Sequence, residues 1–153
     1  MKKGLIISTI LISLSSESCA QLDYRSFIPA GYDTLYEGVA RGDINQDGLE
    51  DFVIALYHNM ELRSYEELGD DTIPSRLLYI LFGGKEGYNL NLTSSQALLC
   101  KHCGGIFGDP FAGLEIKNRV LTIYHYGGSN WRWAYTHKFR YQENDWKLIG
   151  KTV

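Results

Sequence analysis

Residues 43–51 read Asp-Ile-Asn-Gln-Asp-Gly-Leu-Glu-Asp. Asp43, Asn45 and Asp47 alternate, so their side chains can turn to one side of a tight loop. Gly48 permits a sharp reversal that a β-carbon would resist. Asp51 closes the pattern, and the main-chain carbonyl of Leu49 offers a further oxygen. Three carboxylates, an amide and a carbonyl suit a hard cation that takes roughly six to eight oxygens from a flexible loop, which describes calcium better than magnesium. The expected ion is therefore a structural Ca2+, serving loop order rather than chemistry. The pattern is not an EF-hand, because Ile54 stands where that loop needs its closing Glu. A plain surface turn rich in Asp, Asn and Gly is the bland alternative.

Two other segments carry chemistry-bearing residues. Cys100-Lys101-His102-Cys103 reads first as a disulfide closing a small loop, the default in an oxidising compartment. A redox pair would want its first Cys at a helix N-terminus; here Cys100 follows a predicted short helix over 94–99. Zinc would need two more ligands, with His102 and His125 the available ones. The third segment, 124–133, gathers Tyr124, Tyr126, Trp131, Arg132 and Trp133 around Gly127-Gly128-Ser129-Asn130. Such residues anchor protein interfaces and can also lie against sugar faces. Alternatively, alternate aromatics pack the sheet and Arg132 stacks on a neighbour. No nucleophile elbow, phosphate loop or converging acid pair is present in the sequence, so a non-enzymatic role is expected.

The elements that must position these residues read as strands. Eleven Tyr, six Phe and three Trp stand beside only three Pro, which argues against disorder, and sixteen Gly mark frequent breaks. Residues 35–41 lead into the acidic loop. Residues 52–57 and 77–82 are continuous apolar runs of strand length, as expected for strands buried on both faces. The turn at 83–87 returns the chain along 88–92, and 59–75 reads as a polar loop with a helical turn at 64–68. Hairpins follow over 114–126 and 131–149. The expected fold is mainly β: a single domain of antiparallel hairpins or a meander, with little helix.

Residues 39–54, Val-Ala-Arg-Gly-Asp-Ile-Asn-Gln-Asp-Gly-Leu-Glu-Asp-Phe-Val-Ile, resemble the calcium loop of FG-GAP (VCBS-type) repeats. The strand at 77–82 running into Gly-Gly-Lys-Glu-Gly-Tyr resembles the strand and turn that follow in that family. The resemblance covers about 50 residues and occurs once. It implies a propeller-blade-like hairpin whose Asp43, Asn45, Asp47 and Asp51 side chains, with the Leu49 carbonyl, hold calcium. A full propeller needs several blades, so the family's whole fold is not implied.

The ends set the compartment. Lys2 and Lys3, the apolar run over 4–14 and Ser18-Cys19-Ala20 read as a signal peptide over 1–20, cleaved near Ala20–Gln21. The alternative is a lipoprotein anchored through Cys19. Lys2, Lys3 and Glu17 go with that segment, leaving 133 residues, 13 basic and 17 acidic, at net charge −4. One β-rich domain over 21–153 fits that length, and no further stretch is long enough to cross a membrane. The absence of a basic stripe argues against nucleic acid. The reading that results is a periplasmic or secreted calcium-binding module with a protein or glycan partner in the envelope. Its alternative is a periplasmic immunity or inhibitor protein that neutralises a toxin or a cell-wall enzyme.

Overall fold

The computed structural model describes residues 23–63 and 73–153. The predicted signal peptide and the predicted helical turn at 64–68 lie outside the described residues. The chain is mainly β, as expected. Strands β1 (Tyr32–Gly42), β2 (Asp51–His58), β3 (Leu77–Gly84) and β4 (Gly87–Ser94) form one antiparallel meander. Strands β5 (Phe111–Lys117), β6 (Val120–Gly128), β7 (Arg132–Gln142) and β8 (Asp145–Thr152) form a second with the same order.

The two apolar runs become the centre of the first sheet because both of its faces are covered. Val53 and Ala55 of β2, with Leu78 and Ile80 of β3, face the second sheet. Ile54, Leu56 and Leu81 face the other way. There the 3-10 turn Tyr24–Phe27 lies over them, with Tyr24 stacked on Phe52 at 4.9 Å between ring centroids. The second sheet turns one face to the first, and its outer face is more open, with Thr122 buried there. Leu121 and Ile123 of β6 enter the shared core, with Phe139, Tyr141 and Trp146 packed around them. Each fully buried Leu or Ile contributes about 1.5–3 kcal/mol. The sheets approach closely along β1 and β5, where a β-carbon on Gly42 would stand 2.9 Å from Ile116 Cγ2.

Two segments differ from the sequence expectation. The helix over 94–99 does not form; 95–98 is a series of bends. Its backbone groups are claimed from elsewhere: the Leu99 N–H donates to His125 Nε2, and the Leu99 carbonyl accepts from Arg76 Nη1. Leu98 is drawn into the core. Nor is 59–75 simply a polar loop. Asn59–Leu62 makes a 3-10 turn that buries Glu61, and Arg76 at the mouth of β3 is only 3 % exposed.

Candidate functional site

The acidic loop joins β1 to β2, so the sheet fixes both of its ends. Ile44 is fully buried in the inter-sheet core and pins the loop's start. Gln46 and Gly48 take positive φ, 72° and 82°, which tightens the reversal. Asp43 accepts from Gln46 N at 2.8 Å and from Gly48 N at 3.2 Å. Asn45 Oδ1 accepts from Asp47 N at 3.0 Å, and Asp47 Oδ1 accepts from Leu49 N at 2.8 Å. Asn45 Nδ2 donates to Asp47 Oδ2 at 2.9 Å. The three alternating side chains thus accept backbone N–H groups of the loop itself. Leu49 sits at its far shoulder with its side chain partly exposed.

Asp51 is placed differently. It is completely buried, and its carboxylate locks the loop to the sheet. Oδ2 accepts from Ile44 N at 2.8 Å and Asn45 N at 3.4 Å, while Oδ1 accepts from Gly83 N at 2.9 Å. Gly83 must be glycine for this approach, since a β-carbon there would run into the Glu50 carbonyl oxygen. Burial pushes the Asp51 carboxyl up, the Gly83, Ile44 and Asn45 N–H groups pull it down, and the Asp47 charge adds to the rise. The net direction is upward.

The donor chemistry fits calcium: hard oxygens on a loop whose negative charges repel one another. Arg41, just before the loop, pairs loosely with Glu50 at 3.9 Å, and among the described residues none of the three loop Asp side chains has a salt bridge. Among the described residues, no three His, Cys, Asp or Glu side chains stand gathered as a metal cluster. The Asp43 and Asp47 oxygens are turned to backbone N–H groups and Asp51 is held at the loop's base.

At the opposite end of the second sheet the aromatic segment divides between two faces. Tyr126 pairs with Ala134 and Gly128 with Arg132, so Tyr124, Tyr126 and Arg132 share the open face. Trp133 lies on the other face, stacked on Tyr135 at 4.6 Å. Tyr124 Oη donates to Glu115 Oε2 at 2.7 Å. Trp131 stands on the turn at 88 % exposure. The open face gains a residue that the sequence reading did not single out: Phe107, whose ring meets Tyr126 at 5.7 Å and carries the Arg132 guanidinium at 5.2 Å. Ile106 beside it is 80 % exposed.

This aromatic platform is held by backbone, not by side chains alone. Ile106 N donates to the Gly128 carbonyl and Gly128 N to the Gly104 carbonyl, at 3.1 and 2.9 Å. Gly104 N and Gly108 N close the loop on itself, and Tyr126 N donates to the Pro110 carbonyl. A β-carbon on Gly104 would collide with the Gly108 carbonyl, so the loop can fold this tightly only with glycine there. Cys100 and Cys103 are joined as a disulfide just before it, their Cα atoms 5.1 Å apart.

Behind that loop lies a buried polar cluster that sequence reasoning missed. Arg76 Nε and Nη2 donate to Glu61 at 2.8–3.1 Å, and Nη1 and Nη2 donate to Asp109 at 2.7 and 2.6 Å. Lys101 Nζ donates to the Glu61 carbonyl at 2.6 Å. Burial pulls the Arg76 pKa down, but the Asp109 and Glu61 hydrogen bonds and charges outweigh it and push it up. His125 is 3 % exposed, accepts from Leu99 N at 3.3 Å through Nε2, and has no partner for Nδ1 among the described residues. Burial, then the His137 and Arg76 charges, lower its pKa to about 4, against a smaller opposing effect of Asp109.

Comparison with family models, with curated proteins and with solved structures finds no match to this chain.

Proposed function

We propose that this chain is an exported, non-enzymatic binding module that docks a protein partner on its aromatic platform and is ordered by one structural calcium ion. The observation that carries the reading is the Phe107–Tyr126–Arg132 cluster with Trp131 at its rim. Aromatic residues and Arg dominate the energetics of protein interfaces. Here they are pre-positioned by backbone bridges and a nearby disulfide, which lowers the ordering cost of docking.

Calcium is assigned to Asp43, Asn45, Asp47, the Leu49 carbonyl and Asp51. Support comes from the oxygen-rich side chains of the loop, whose Asp carboxylates accept N–H groups but form no salt bridge among the described residues, and from the hairpin position of the loop. The order loop, β2, β3, tight turn, β4 also agrees with the FG-GAP-type resemblance, since a propeller blade is itself a four-stranded antiparallel meander. A second reading, an immunity or inhibitor protein, uses the same platform. Its specific support is Trp131, a single large side chain standing clear on a tight turn, shaped to enter a cleft of an exported enzyme.

Two experiments test this. Chemical cross-linking in envelope extract should capture the same partner with the wild type and with Leu90→Ala, an exposed site on β4 beside Asn91, which meets Trp146 at the end of the second sheet away from Arg132, and lose it with Trp131→Ala or Phe107→Ala. Retention by both platform variants would overturn the platform. Calcium at about one hundred times its Kd should raise folding stability by about 2.7 kcal/mol. No shift in the wild type, or an equal shift in Asp47→Ala, would remove calcium from the account.

A further inference from the structure

We infer a second binding site, for a small neutral apolar molecule, between the two sheets on the side away from their β1–β5 contact. A cavity of about 230 Å3 opens there. Its floor is Leu78 and Ile80 of β3 and Leu121 of β6, all buried core residues, so it reaches the centre of the molecule. Phe139 and Trp146 form one wall, and Leu92 and Ala97 the other. Ser94 and Gln96 are the polar residues of its lining. Core side chains ordinarily close over one another, so an apolar cleft that opens to solvent and reaches Leu78, Ile80 and Leu121 is a feature to be explained.

Charge and size together fix the class of occupant. None of the lining residues is Asp, Glu, Lys, Arg or His. An ionised ligand would therefore lose its hydration with no charge to replace it. A cavity of about 150 Å3 lined by Leu, Ile and Phe stays dry and admits a benzene ring. The larger volume here accommodates one ring with a small substituent, or a short alkyl chain. Ser94 Oγ accepts from Gln96 N at 3.3 Å, which ties the two polar lining residues together. A hydroxyl on the ligand can bond there while the ring lies against Phe139 and Trp146. Across the opening, Trp146 Nε1 donates to Asn91 Oδ1 at 2.9 Å, so the edge strands β4 and β8 are tied and the cleft keeps its width.

The test uses 4-fluorophenol as the neutral probe and 4-fluorobenzoate as its charged counterpart, each followed by fluorine NMR against the full folded protein. Saturable binding of the phenol with a Kd of about 0.1–1 mM is expected from its size, and the benzoate should bind at least about tenfold more weakly. Amide and indole shifts should map to Leu92, Ala97, Phe139 and Trp146. Ala97→Phe and Leu92→Phe, each filling the cavity from its own wall, should abolish binding while keeping a cooperative unfolding transition. The mapping on wild-type protein needs no variant, so the inference is testable even if a filled core misfolds. It is overturned by no saturation, by equal affinity for the benzoate, by shifts at Trp131 and Tyr126 instead, or by undiminished binding in both folded filled variants.

Discussion

Replacing Arg76 by Met tests the ionic cluster behind the aromatic platform. Arg76 is 3 % exposed and Glu61 5 %. Glu61 takes three of the Arg76 hydrogen bonds, from Nε twice and Nη2 once. Met keeps most of the side-chain volume but removes every donor. The Glu61 carboxylate is then buried without a counter-charge, a change that costs about 3–5 kcal/mol. With a urea dependence of about 2 kcal/mol per molar, a loss of 4 kcal/mol lowers the unfolding midpoint by about 2 M. Asp109 behaves differently, because its side chain is 37 % exposed and water can solvate it. Asp109→Asn should therefore cost about 1 kcal/mol or less.

The decisive measurement is the double variant Arg76→Met with Glu61→Met, unfolded in urea with the disulfide intact. Removing both buried charges leaves an apolar pair of similar volume, which is often close to neutral. The double variant should therefore be more stable than Arg76→Met alone by about 3–5 kcal/mol, the loss that the single change incurs. If the two single losses simply add, or if Arg76→Met costs under about 1 kcal/mol, the argument that burial makes this pair interdependent is wrong.

Two further predictions follow the buried polar groups. The folded His125 pKa of about 4 lies below an unfolded value of about 6.5, so the unfolded chain binds the extra proton between these values. Stability should be complete above about pH 6.5 and fall by about 3 kcal/mol as pH drops towards 4. His125→Gln, which keeps an acceptor for Leu99 N without titrating, should flatten that slope in urea melts at several pH values; an unchanged slope would assign it elsewhere. Asp51→Ala leaves the Ile44 and Gly83 N–H groups without their acceptor, at about 1–3 kcal/mol each. Amide exchange should quicken at both positions together, and a loss confined to the loop side would show that the carboxylate does not bridge to β3.

The strands were legible because their cause is local. Residues 52–57 and 77–82 carry unbroken apolar runs, and a strand covered on both faces demands that pattern. The loop at 43–51 was legible for the same reason, since alternating Asp and Asn around Gly48 encode their own turn. The Arg76 cluster was not, because its partners are 15 and 33 residues away and isolated charges ordinarily read as solvated. The helix over 94–99 was a local preference overridden by distant groups: His125 and Arg76 take the Leu99 backbone that a helix would need. The aromatic segment was half legible. Its composition marked it, but the face of each ring depends on strand register, which sends Trp133 away from Tyr126 and brings in Phe107 from a separate loop.

The positions of the two proposed sites lead to one more prediction. Gly42, at the start of the acidic loop, packs on Ile116, and Ile116 pairs with Leu121 near the beginning of β6. The aromatic platform sits at the other end of that strand, at Tyr126 and Gly128. Seven residues at about 3.4 Å each separate Leu121 from Gly128, so the sites are roughly 24 Å apart. At that distance surface charge is screened by physiological salt. The remaining link is Ile44, whose burial couples loop order to the shared core but not to the platform's own backbone bridges. Calcium should therefore raise the melting temperature without changing partner affinity. Below the calcium-free melting temperature, the Kd for the captured partner should agree within about twofold with and without the ion, a difference of about 0.4 kcal/mol. A tenfold change, abolished by Asp47→Ala, would mean that the core transmits what the geometry confines to stability.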